Sequence, residues 1–419
     1  MPIESILRRL YPLPGFVYEK VQWGESARSR WHLIVRVRPR KGSRGLCSKC
    51  FQKRPGYDVQ DERRFAFVPL WGLTVLLAYA MRRVACPRCG VTVEAVPWAE
   101  GKMQTTHALV WFLASWAKVL SWKEVARRFQ SSWDTVFRSV EHAVRWGLAH
   151  RNLDGIRAIG VDELAWKKRL KYPTLVYQLD HGRRRLLHVA RDRTMGSFNT
   201  FFDMLGEERS KAIVFVASDM WRAFLNVVRK RCSMAIHVLD RFHVAKLLNE
   251  AVDTVRRQEV RSLRAAGRPA MLTKTRWLLL KRRENMSTDE RSRLRELLRI
   301  NLRSVRACLL KEQFQGFWNY SYGLWAEKFL VRWTKMAMRS RLEPFKKFAL
   351  TLRKHRPELL AWFVARGRFA HGATEGFNNK ARITTRKAYG FRTYEHAEIA
   401  LYHALGDLPE PDWLAHRFC

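Results

Sequence analysis

The spacing of apolar positions changes several times along this chain, and the changes divide it into segments. Strand-like apolar runs come first: Trp31–Arg38, then Arg64–Val68 and Thr74–Met81, the last two joined around Pro69 to Gly72. Such short runs rich in β-branched and aromatic residues predict strands, and the Pro/Gly interruption predicts a hairpin. From about 104 to 150 the period becomes helical, with helices over Thr105–Lys118, Trp122–Phe129 and Trp133 to about Trp146. Ser121 and Glu124 have capping-box spacing, and Gln130-Ser131-Ser132 is a tight polar turn. A short helix, a turn and a longer helix fit a helix-turn-helix with Val125, Ala126, Phe129, Val136 and Val140 as its small core. An ordinary helical hairpin fits the pattern equally well.

Strand patterns return in Ile156–Glu163, Thr174–Asp180 and Arg185–Ala190, separated by short turns that predict an antiparallel meander. A helix over Ser197–Leu205 then crosses to a strand over Ile213–Asp219, and one over Trp221–Arg231 to a strand over Met234–Asp240. These elements predict one α/β sheet. From Arg241 to about Arg368 the chain reads as helical and rich in Arg and Trp, clearest in Phe242–Ala265, Arg276–Arg283, Asp289–Cys308 and Glu327–Met338. So long a helical block needs a core of its own and is expected to be an insertion. Ala370–Lys387 reads as a turn feeding a helix, and Thr393–Leu405 as a last amphipathic helix. The expected divisions are 1–103, 104–150, 151–241, 242–368 and 369–419.

Charge adds a partner. Of 419 residues, 79 are Lys or Arg and 38 are Asp or Glu, a net charge of +41, which calls for a polyanion. Aromatic residues at 12% among so many Arg suit nucleic acid, with a membrane surface the weaker alternative. Phe65–Met81, the longest apolar-rich run, holds Pro69 and Gly72 and falls short of the roughly 20 residues that span a bilayer. No apolar stretch follows Met1–Arg9, so no signal segment and a cytoplasmic, nucleoid-associated location are expected.

Four of the seven cysteines form two pairs, Cys47-Ser-Lys-Cys50 and Cys86-Pro-Arg-Cys89. Each pair lies in a turn beside Lys or Arg, and Gly90 follows the second, a pattern of two knuckles holding one tetrahedral structural Zn2+. The remaining cysteines are scattered singly, unlike a disulfide framework.

Two strand-like runs end in carboxylates, Ile159-Gly-Val-Asp162-Glu163 and Phe215-Val-Ala-Ser-Asp219. Strand alternation lets one of Asp162 and Glu163 face a site, and Asp162 is the choice here. Taken singly, each Asp also reads as a helix N-cap or turn residue. Two acids at one sheet edge repel unless a cation lies between them, so a divalent metal is expected in this basic protein. Asp180, Asp192 and Glu163 read as turn or surface acids. Asp240 and His243 lie one helical turn apart, either as a capped helix start or as accessories to the site. His371 reads as structural or phosphate-facing.

Together Ile-Gly-Val-Asp162-Glu, Ala-Ser-Asp219-Met, Leu-Asp240-Arg-Phe-His243-Val and Ala-Thr-Glu375-Gly-Phe-Asn-Asn resemble the DDE transposases of bacterial insertion sequences, of the zinc-ribbon ISL-three type. The resemblance covers nearly the whole chain. It departs from the family's usual neighbours at Trp221 and Thr374. It implies an α/β, ribonuclease-H-like catalytic core with a large helical insertion, preceded by a zinc-ribbon module and a helix-turn-helix. Asp162, Asp219 and Glu375 would be the catalytic triad, holding two Mg2+ or Mn2+ ions. Such ions activate water and stabilise in-line displacement at phosphorus, first in cleavage and then in attack by the freed 3′-hydroxyl. No nucleophilic side chain is required. Double-stranded DNA, as element-end inverted repeats and as target, would be the partner, with Trp133, Arg138, Arg145, Lys380 and Arg382 contacting it. A homodimer on the ends is expected. A non-catalytic zinc-ribbon and helix-turn-helix regulator, or a nuclease without strand transfer, are the alternative readings.

Overall fold

The computed structural model describes residues 2–26, 29–164, 173–218, 222–268, 275–281, 283–300, 302–365, 373–387 and 391–414. The chain forms two compact units, Met1–Asn152 with Ile383–Cys419, and Leu153–Arg382. Among the described residues no helix is long and apolar enough to cross a membrane.

The first unit opens with α1 (Ile3–Leu10), β1 (Phe16–Ser26), β2 (Ser29–Pro39), β3 (Gly45–Cys47), β4 (Lys53–Arg54), β5 (Gly56–Leu70), β6 (Leu73–Cys86) and β7 (Gly90–Ala95). The strands run in the order β1-β2-β6-β7-β3-β4, and β5 also pairs with β6. The expected hairpin is β5–β6, turned by Trp71 at φ 51° and Gly72 at φ 80°. Two left-handed residues in succession match the twist that antiparallel strands need. One face packs around the fully buried Trp98, whose ring meets Phe16 at 4.9 Å and Tyr79 at 5.4 Å. Buried Glu94 accepts from Tyr79 Oη and from both Nε and Nη2 of Arg82, so its charge is paired rather than stranded.

Next come α2 (His107–Val119), α3 (Trp122–Arg128) and α4 (Trp133–His150), each started by a hydroxyl: Thr106, Ser121 and Ser132 accept from the N–H three residues on. Each such cap is worth about 1 kcal/mol. Glu124 turns to Arg127 instead of closing a capping box. Val125, Ala126, Val136 and Val140 are buried as expected, and Phe129 is half-buried against Phe112 and Trp116.

The second unit is built on β8 (Ala158–Glu163), β9 (Thr174–Gln178) and β10 (Arg185–Ala190). Then follow α5 (Met195–Leu205), α6 (Glu207–Lys211), β11 (Phe215–Ser218), α7 (Arg222–Arg231) and β12 (Ile236–Leu239). The sheet order is β10-β9-β8-β11-β12, with β8 to β10 antiparallel and β8, β11 and β12 parallel. Its core gathers Ile159, Val161, Val216, Phe198, Phe202 and Phe224 between the sheet and α5 and α7.

A helical block follows: α8 (Arg241–Ala265), α9 (Arg276–Leu280), α10 (Thr288–Leu298), α11 (Arg303–Gln315), α12 (Gly323–Arg339), α13 (Glu343–Lys354) and α14 (Arg356–Ala365). The single helix expected over Asp289–Cys308 is two helices. Glu259 of α8 is buried and accepts from the backbone N–H of Arg303 and Ser304 at 2.7 Å, so a distant carboxylate caps α11 and fixes the break. Lys311, fully buried, donates to the carbonyls of Leu279, Leu280 and Lys281 and closes the end of α9.

The chain ends in α15 (Ala373–Lys387) and α16 (Tyr394–Leu405). Residues from Ile383 onward belong to the first unit, whereas the sequence grouped all of 369–419 with the acidic core. α16 buries Ala397, Ala400, Leu401 and Leu405. Gly147 of α4 admits the following turn closely, since a Cβ there would lie 2.7 Å from that of Leu408. An amphipathic stripe announces that a helix is buried and does not name its partner.

Candidate active site and cysteine centre

Each Cys pair sits in a tight turn between antiparallel strands. Cys47 ends β3, the chain turns through Cys50 and the left-handed Phe51 at φ 56°, and β4 returns. Cys86 ends β6 and pairs with Gly90 at φ 75°, which starts β7. Because β3 pairs with β7, with Cys47 opposite Glu94, the two turns meet. The four sulfur atoms lie within 4.8 Å of one another, and Cys50 Sγ is 3.6 Å from Cys86 Sγ. Zn–S bonds of about 2.3 Å in a tetrahedron need sulfurs about 3.8 Å apart, so this zinc-ribbon-like cluster fits the ion. The Thr92 hydroxyl, 3.3 Å from Cys47 Sγ, together with the backbone N–H groups of Cys50 and Lys49, lowers the Cys47 thiol to about 6. A thiol already inclined to lose its proton suits a metal ligand.

The second centre lies at the C-terminal edge of the parallel strands β8, β11 and β12. Asp162, next to last in β8, is buried at 7% exposure, and Glu163 N–H donates to its Oδ1 at 2.6 Å. Asn378 of α15 donates its side-chain amide to Oδ2 of the same carboxylate. Tyr177 of β9 in turn donates its hydroxyl to Asn378 Oδ1 at 3.3 Å and stacks on Phe377. His243 of α8 places Nε2 4.0 Å from Asp162 Oδ1 and Nδ1 3.3 Å from Asp240 Oδ2. Asp240 also accepts from Phe242 N–H at 2.9 Å, so it caps α8 and holds His243 at once. Burial pushes the Asp162 carboxyl above its ordinary range, and nearby His243 only partly offsets it. A buried carboxylate short of positive charge is the setting in which a divalent cation is favoured.

β11 ends at Ser218, whose hydroxyl is 2.7 Å from His237 Nε2. Asp219, Trp221 and His371 lie outside the described residues, and Glu375 enters the description only as a position in α15. The acids set aside by the sequence have other work. Asp180 lies at the opposite end of the sheet, accepting from Arg157 N–H and from Gln178 Nε2 at 2.8 Å. Asp192 accepts from Thr194 ahead of α5, and Glu163 lies 3.8 Å from Arg193.

A family model described as a transposase, of the DDE ISL3 type, matches residues 159–401. The transposase for insertion sequence element IS1557 of Mycobacterium tuberculosis is 32% identical to this chain, covering 92% of it and 90% of that protein. The transposase for insertion sequence element IS1001 of Bordetella parapertussis is 28% identical, over 91% of this chain and 93% of its own. The chain belongs to the ISL3 family of transposases.

A transposase of this family is an enzyme that acts on DNA with divalent metal, and the matched segment begins within β8 and ends within α16. Sequence reasoning missed Tyr177 and Asn378. Asn378 stood in the quoted Glu375-Gly-Phe-Asn-Asn run, while Tyr177 gave no signal beyond its place in a buried strand. Of the residues expected to contact DNA, Arg138 and Arg145 are exposed on α4 and pair with Asp134 and Glu141 one turn back. Trp133 is 41% exposed and stacks on Phe137. Lys380 and Arg382 are exposed on α15.

Proposed function

We propose that this transposase cuts and joins DNA at a carboxylate triad of Asp162, Asp219 and Glu375 in a ribonuclease-H-like core. One observation carries the reading: Asn378 of α15 holds the buried Asp162 of β8. The helix that carries Glu375 thus supplies a partner to the first acid, and Asp219 follows β11, the strand paired beside β8. The strand order, three antiparallel then two parallel through helical crossovers, supports that core. When bound, two divalent cations on these carboxylates would supply an activated water and a charged clamp for in-line displacement. The protein's own part is orientation. Asn378 and the Glu163 N–H fix the Asp162 carboxylate, leaving its remaining lone pairs for the cation, and the Asp240–His243 pair keeps an imidazole beside it.

Element ends would be read by the α3–α4 helix-turn-helix, with Trp133 at the start of α4 and Arg138 and Arg145 along it. Lys380 and Arg382 would contact DNA near the acids, one Zn2+ would bind the four cysteines, and the protein would act on paired ends as a homodimer. The test is cleavage and strand transfer on DNA carrying the element's own ends. Asp162→Asn, Asp219→Asn and Glu375→Gln should each lose at least about a hundredfold in rate while end binding persists. Full activity in any of the three overturns the triad.

A further inference from the structure

The helical block carries a groove of about 1060 Å³, lined by α11, α12, the turn after α12 and Arg356 at the start of α14. One face of α12 buries Ala326, Leu330, Trp333 and Ala337, while Lys328, Arg332, Lys335 and Arg339 form a basic row on the other. The row spans about 16 Å at 1.5 Å per residue. Arg306 of α11 and Arg341 add to it, and Leu309 and Met336 give the groove an apolar floor. Its lining holds seven Lys or Arg and one acid, Glu327, which is spent on Arg356.

Arg341 is informative. It stands just past the end of α12 at φ 59°, where glycine is the unstrained choice. A long cation kept in a left-handed position, at a helix terminus whose dipole already attracts positive charge, extends the basic row around the corner.

We propose that this groove is a second DNA-binding surface, holding the phosphodiester backbone without reading sequence. The chemistry matches on both counts. Guanidinium and ammonium groups at helical spacing meet phosphates, which recur every 3.4 Å of axis along a strand, and the apolar floor meets deoxyribose. Element-end and target DNA share that backbone, so both are admissible occupants. The proposal rests on the transposase binding duplex DNA, but not on the triad or on end recognition by α4.

The test measures binding of full-length protein to end duplex and to random-sequence duplex as a function of salt. The variant Arg332→Gln/Lys335→Gln/Arg339→Gln alters only exposed positions, and Arg8→Gln/Arg9→Gln/Lys41→Gln removes equal charge from the first unit. Thermal melting verifies that both fold. The groove variant should lower the salt slope of log affinity by about 2 to 3, at about 0.9 per lost phosphate contact, with the end-to-random ratio unchanged. The control should lower it by less than about 1. A reduced slope on both duplexes supports the proposal; a reduced slope on end duplex alone overturns it, because the groove would then be reading sequence. An unchanged slope in the groove variant, an equal fall in the control, or loss of self-association in place of DNA affinity overturns the proposal. If the unaltered protein fails to bind any duplex, the underlying DNA reading falls instead.

Discussion

Asn378 donates to Asp162 across 216 residues of sequence, tying α15 to β8. A hydrogen bond to a charged group is worth about 1.5–3 kcal/mol. Asn378→Ala should therefore slow cleavage by roughly ten- to a hundredfold while DNA binding is unchanged. Asn378→Asp, which sets a second carboxylate against Asp162, should be worse than the alanine. Equal rates for the two variants in a cleavage assay would show that charge at this contact is immaterial.

Burial raises the Asp162 carboxyl above its usual 3.8. The folded state therefore holds this proton more tightly than the unfolded chain does. The associated stability is fully present below that usual value and is lost as pH rises through the folded one. In metal-free buffer, Asp162→Asn should melt higher than the parent at neutral pH, the gap shrinking as pH falls toward 4. Adding Mg2+ should narrow the gap from the other side, by stabilising only the parent. Melting curves across pH with and without chelator measure both effects.

Replacing Cys47 or Cys86 with Ser should remove bound zinc and loosen the first unit. Structural zinc of this kind contributes on the order of 10 kcal/mol, as much as a whole domain's net stability. Metal content should fall from one zinc per chain to none, and proteolysis should reach the strands around the cysteines first. The second unit's own melting transition should not move.

Asp180→Asn makes the contrasting case. Its carboxylate holds the Arg157 N–H at the far end of the sheet, so the change should cost about 1 kcal/mol of stability and under about threefold in cleavage, read by melting and by rate.

Arg138→Ala and Arg145→Ala each free a carboxylate on α4 that the arginine now neutralises. If α4 reads the ends, the pair should lower affinity for end duplex at least about tenfold and for random duplex less, in a competition binding assay.

Much of this was legible in the sequence. The short apolar runs in Ile156–Glu163, Thr174–Gln178 and Arg185–Ala190, set apart by turns, gave the meander because those strands are buried along nearly their whole length. Cys-x-x-Cys spacing gave the knuckles because two thiolates reach one ion only across a tight turn. What stayed hidden depends on partners far off in the chain. The break before α11 is held by Glu259, more than forty positions earlier, and Arg299 to Arg303 contain no Gly or Pro to announce it. Asp240 serves as helix cap and as His243's partner together, so a choice between those roles had no single answer. Tyr177 reads as one more buried strand residue until Asn378 is set beside it.

The distance along the chain between Asp162 and Asn378 also sets an order of events during synthesis. At about 5–20 residues per second, the ribosome makes Asn378 some ten to forty seconds after Asp162. Through that interval the nascent chain already holds every cysteine of its metal centre and the whole of α2 to α4, yet lacks the helix that completes the carboxylate's surroundings. The carboxylate's surroundings are therefore completed only near the end of synthesis, and a message truncated before α15 encodes a chain whose Asp162 never meets its Asn378 partner.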